Sequence, residues 1–178
     1  MSLEKVRALA IARTNGDAAM RRWNGVFEKR KGVVLAEIER DFRAYMTAEQ
    51  FEITERVVGL NKPKIVAASF ADLKVELTVP PVAESLPAIY AQFKLKAYGR
   101  THLVNVEPQA GAWPPAFAGS EKDAAAVQQH ADAIDAAARS SDPVRYTLQV
   151  TEEPMSGAAV PAVAHAGIRD VVDALLNE

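Results

Sequence analysis

The residues of this chain best suited to hold a metal are three histidines, at 102, 130 and 165. No two of them fall in the H-E-x-x-H or H-x-H arrangement that sets two ligands on one face, so a zinc site would have to be assembled from distant parts. His130 is the best nucleus for one, yet Asp132, two residues further along a helix, points away from it. The chain has no cysteine, which removes disulfides, thiolate metal sites, iron–sulfur clusters and cysteine nucleophiles. A nucleophile elbow is absent, and Ser85, Ser120, Ser140, Ser141 and Ser156 sit in loop or cap contexts with no histidine nearby. Ser120 is expected to cap a helix. Neither a P-loop nor a G-x-G-x-x-G turn is present, so phosphate binding by those routes is not expected. The carboxylate pairs Glu37/Glu39 and Glu52/Glu55 suit exposed helix faces, and Asp132, Asp135 and Arg139 suit a solvated face with an i, i+4 Asp–Arg pair. No catalytic residue, no metal and no cofactor is assigned.

Binding residues are easier to nominate. The segment from Arg21 to Lys31 combines five Lys/Arg side chains with Trp23 and Phe27. Its cations suit phosphates or an acidic partner, and Arg22, Lys29 and Lys31 are the expected partner contacts. Trp23 and Phe27 belong to an apolar stripe, and Arg30 falls close to it. A helix-turn-helix reading fails because it places Lys31 and Asp41 where apolar residues are required. Trp113 is a fourth expected contact, since it sits in the Pro-, Gly- and Ala-rich stretch 108–119, where no periodicity assigns it to a core.

The elements that position these residues follow from hydrophobic period. Leu3, Val6, Leu9 and Ala10 have helical spacing up to a predicted turn at Thr14-Asn15-Gly16-Asp17, with Asp17 as N-cap of the next helix. Met20, Trp23, Phe27, Val34, Ile38, Phe42 and Tyr45 then form one stripe of period near 3.6, favouring one helix over 17–46. The competing reading is two helices, because Glu28-Lys29-Arg30-Lys31-Gly32 is a good stop signal. Thr47-Ala48-Glu49-Gln50 has the form of a capping box for a short helix to about residue 58, while the alternation of 51–54 supports a strand there instead. Beyond Pro63 the period becomes two. Strands are predicted over 73–79, 91–98, 101–107 and 145–152, with Gly99-Arg100 as a two-residue type II′ hairpin loop. Helices are predicted over 120–139, with Val127, Ala131, Ile134 and Ala138 on its apolar face, and over 167–176. The low-polarity stretch 158–166 reads as a connection packed in extended form against a neighbour.

This pattern predicts an α+β fold. Long amphipathic N-terminal helices precede a mostly antiparallel sheet of about four strands covered by helices. A single domain over 1–178 is expected, with a helical part over 1–60 and a sheet-plus-helix part over 64–178. Its 178 residues carry 33 alanines, so the core of large side chains is smaller than the 49% apolar content suggests. The net charge of −2 hides a split: residues 1–64 sum to +4 and 65–178 to −6. Neither part is basic enough to demand nucleic acid. Behind Lys5 and Arg7 only Ala8 to Ala12 precede Arg13, too short for an export signal, and no stretch is long enough to span a membrane; a cytoplasmic location is expected. The leading functional expectation is a non-enzymatic protein–protein interaction or assembly subunit, self-associating or bound to another protein. The alternatives are a small-molecule-binding protein or enzyme with a pocket between sheet and helices near His102, Tyr98 or Arg100, and a weak nucleic-acid binder through 21–31.

Overall fold

A computed structural model describes residues 2–57, 59, 63–80, 89–109, 123–140, 144–152 and 162–177. Helix α1 runs without interruption from Leu3 to Ala48. Strands β1 (Glu52–Val57), β2 (Lys64–Phe70), β3 (Leu73–Val79), β4 (Ala91–Ala97) and β5 (Arg100–Pro108) follow. Helix α2 (Ala124–Arg139), strands β6 (Tyr146–Glu152) and β7 (Val163–His165) and helix α3 (Ile168–Leu176) complete the described chain. The fold is α+β, with a seven-stranded antiparallel sheet in sequence order where about four strands were expected. The chain divides into two compact units, Met1–Arg30 with Ala110–Val144, and Lys31–Gln109 with Arg145–Glu178.

The first unit pairs the opening of α1 with α2. Buried Ala12, Gly16, Ala19, Trp23 and Phe27 lie at three- and four-residue steps on α1, and Val127, Ala131 and Ile134 do so on α2. This unbroken stripe explains why the predicted turn at 14–17 is absent: packing of one face holds the helix through Asn15-Gly16, where local propensity favours a break. The helices run parallel. Asn15 Nδ2 donates to Gln128 Oε1 at 2.8 Å, and Arg22 Nε to Asp135 Oδ1 at 2.6 Å, so two turns along one helix match two turns along the other. Asp123, not Ser120, is the N-cap of α2, its carboxylate accepting from the Ala125 amide; Ser120 lies outside the described residues.

The second unit is a sheet with one dry face. Cross-strand neighbours Ala68 and Val75, Leu77 and Leu95, Phe93 and Val104, and Val106 and Leu148 are all buried. Val34, Leu35, Ile38, Phe42 and Met46 are the buried apolar residues of α1 in this unit, and Ile168, Val171, Val172 and Leu175 those of α3. The other sheet face carries Lys74, Glu76, Lys94, Lys96 and Asn105, as the alternation of those strands requires.

The residues read as a capping box instead terminate α1. Gln50 takes a left-handed φ of 64°, its amide donates to the Thr47 carbonyl at 3.0 Å, and the Phe51 amide donates to the Met46 carbonyl at 2.9 Å. This pair of bonds is a Schellman motif with glutamine in the position glycine usually holds. The chain then enters β1, so 51–58 is strand and not helix.

Candidate interaction surfaces

Two hairpin turns, together with the Schellman close, lie at one end of the sheet unit. Between Phe70 and Leu73 the β2–β3 turn is Ala71-Asp72, with φ of 53° at Ala71. Between Ala97 and Arg100 the β4–β5 turn is Tyr98-Gly99, with φ of 48° and 77°. The loop is therefore displaced by one residue from the expected Gly99-Arg100, and two positive φ values give it the sign pattern of a type I′ turn, not II′. Glycine meets that demand at 99. A bulky side chain at 98 does so at a cost of about 1–2 kcal/mol.

The strained Tyr98 and the residue before strained Ala71 carry exposed apolar surface. Tyr98 is 61% exposed and Phe70 51%, and the Phe70 ring tilts against Phe51 with centroids 5.7 Å apart. Tyr98 and Gly99, with Asp72, Leu73 and Lys74, line an open groove of about 280 Å³. The Tyr98 hydroxyl donates only a long bond, 3.4 Å, to the Leu176 carbonyl at the end of α3. One carboxylate and one ammonium thus flank an aromatic shelf, a combination suited to anchoring a side chain or a turn of another molecule.

Two cations of the basic segment nominated from the sequence, Arg22 and Arg30, are engaged within the first unit. Arg22 is held by Asp135, which also accepts from Arg139 at 2.9 Å, the i, i+4 pair expected there. The hydrogen bond from Arg22 is the main cause that holds the Asp135 carboxyl below its ordinary range. Arg30 Nη2 donates to the Ser140 carbonyl at 2.9 Å and to Ala137 at 3.4 Å, placing a cation on the negative end of α2. Its guanidinium also lies 5.3 Å from the centre of the Trp23 ring. Lys31 is fully buried, which removes it from the exposed face where the sequence placed it. The signal was legible: the stripe steps seven residues from Phe27 to Val34, and Lys31 occupies the missing turn. Lys29 is exposed and, with Arg21, has no charged partner among the described residues. Trp113 lies outside the described residues.

The residues proposed for a sheet–helix pocket lie along the β4–β5 hairpin. His102 is buried between Leu95 and Glu152 in the sheet register, Arg100 is exposed at the start of β5, and Tyr98 is on the turn. His130 Nε2 is buried without a hydrogen-bond partner among the described residues, and no group of three His, Asp or Glu able to hold a metal occurs among them.

Two polar clusters absent from the sequence reading secure the sheet unit. Glu39 on α1 receives Arg43 Nε at 2.9 Å and also pairs with Lys64 on β2, while Arg43 reaches Glu55 on β1. Burial pushes the Glu39 carboxyl up, but the hydrogen bonds and charges of Lys64 and Arg43 outweigh it and the net direction is down. At the end of the same helix the Tyr45 hydroxyl donates to Asp173 on α3, and Arg169 lies over the Tyr45 ring at 5.2 Å. The bond to a carboxylate, reinforced by burial, pushes the Tyr45 phenol up to about 12. Tyr146 reaches a similar value through burial, with Glu37 and Asp41 adding negative charge nearby.

No protein family, curated protein or solved structure matches this chain. Among the described residues no helix is long and apolar enough to cross a membrane.

Proposed function

We propose that the protein is a non-enzymatic interaction or assembly subunit that receives a protein partner on the turn end of its sheet. The observation that carries this reading is Tyr98, a solvent-facing aromatic held in a left-handed backbone conformation that its own fold would relieve by using asparagine or glycine. Phe70 supplies a second exposed ring on a neighbouring hairpin, and aromatic side chains dominate the anchoring energy of interfaces. The groove beside them is open and, at about 280 Å³, smaller than the cavities that enclose most small ligands. Its dimensions suit a docked protein feature better than a sequestered metabolite.

Native mass spectrometry of the chain purified gently from its source cells tests this. The wild type is expected to carry an added protein mass other than multiples of its own 19.3 kDa, and a chain bearing Phe70→Ser and Tyr98→Asn is expected to lose it while keeping its circular dichroism. A small added mass that survives both substitutions would contradict the reading and favour a ligand pocket elsewhere.

A further inference from the structure

The two edges of the sheet are unlike. Strand β7 is three residues long, while β1 offers six residues whose outer side has no strand partner among the described residues. Exposed edges of that length are normally blunted by proline, by a bulge or by lysine. Strand β1 has none of these, and it pairs with β2 one to one from Glu52 to Val57. It does carry Glu52, Glu55 and Arg56, charges that deter an indiscriminate partner strand.

Their order along the strand is compatible with one partner in particular. A two-fold axis perpendicular to the sheet pairs β1 with its own copy in antiparallel fashion, and the pleat allows only registers that set residues of the same face opposite one another. Centred on Ile53, that pairing places Glu52 opposite Thr54 and gains no charge pair. Centred on Glu55 or Arg56, it opposes like charges. Centred on Thr54, it sets Glu52 against Arg56 of the second copy twice over, with threonine against threonine between them. Glu52 has no partner among the described residues, and Arg56 has only a 3.7 Å contact to Glu76 with its side chain 65% exposed. Both are free to turn outward. The charges that discourage other strands therefore complement each other in a single self-paired register.

We infer that β1 is the edge through which two copies of this chain join, antiparallel and centred on Thr54, continuing the seven-stranded sheet into a second one. This contact goes beyond the turn-end docking proposed above and shares no residue with it, so the two fail separately.

Charge reversal tests the register with the full chain. Sedimentation of the wild type across the micromolar range should give a mass of twice 19.3 kDa. The E52R chain, which opposes arginine to arginine, and the R56E chain, which opposes glutamate to glutamate, should each raise the dimer dissociation constant about tenfold or more. Mixing the two variants should restore association, because each then meets the opposite sign, and this recovery also shows that both chains are folded. A wild type that stays at 19.3 kDa, an E52R chain that dimerises as well as the wild type, or a mixture that does not recover would each overturn the inference.

Discussion

The basic helix segment 21–31 and the turn end of the sheet make opposite impressions in sequence and in structure. The first has conspicuous chemistry, yet Arg22, Arg30 and Lys31 are turned to internal pairing, helix capping and burial. The second is inconspicuous, a few residues between alternating strands, yet it leaves Phe70 half in solvent beside a left-handed Ala71 and Tyr98 in solvent on strained backbone of its own. Charge density along a chain is a poor guide to free surface when a parallel helix supplies acids and carbonyl ends at matching positions. Exposed aromatics at a hairpin end are a better guide, because the single ring contact of Phe70 and the one long bond of Tyr98 leave most of each ring in solvent.

If that contrast is right, substitutions in the helix segment act on stability and substitutions at the turn end act on association. The largest effect is expected for Trp23→Ala, which empties the main aromatic position of the helix pair and removes the ring beneath Arg30. A loss of about 3–5 kcal/mol in urea unfolding is expected, with α2 amides losing exchange protection before those of β3 to β5. Arg30→Ala should follow at about 1–2 kcal/mol, through the lost cap on the Ser140 and Ala137 carbonyls and the lost contact with Trp23. Tyr98→Asn is expected to move the other way. By creating an Asn-Gly turn it should raise stability by about 1 kcal/mol in the same assay while weakening partner binding, a trade seen where strain serves a site.

Two pH dependences separate the polar clusters of the sheet unit from its core. The Glu39 carboxyl is held below its ordinary value of 4.5, so its contribution is complete above that pH and disappears as pH falls through the folded value. Glu39→Gln should therefore flatten the acid limb of the stability profile. Tyr45 behaves conversely. Its folded value near 12 lies above the ordinary 10, so its contribution is full below pH 10 and lost as pH rises through about 12, and Tyr45→Phe should remove that alkaline decline. The smallest effect is expected for Asp135→Asn, whose exposed pairing with Arg22 should leave the melting temperature nearly unchanged.

Much of the architecture was legible because period survives in sequence. The strands over 73–79 and 91–97 alternate cleanly, and the apolar face of α3 follows its expected positions. Strand β2 escaped because Val66, Ala67 and Ala68 are consecutive buried residues and small alanines on both faces erase the alternation. Strand β7 is too short to register a period, although the connection over 158–166 was read as extended and its end does pair with β6. The end of α1 was misread because the Schellman motif uses glutamine where glycine would have announced it. The turn end was visible only as a hairpin, since exposure and backbone strain depend on a register that no local pattern specifies.

Hydrogen–deuterium exchange on the chain alone and in its native complex tests the location of the contact most directly. Binding should slow exchange in the two turn regions, 70–74 and 98–100, and leave 21–31 unchanged. Protection that falls on 21–31 and spares both turns would contradict the account.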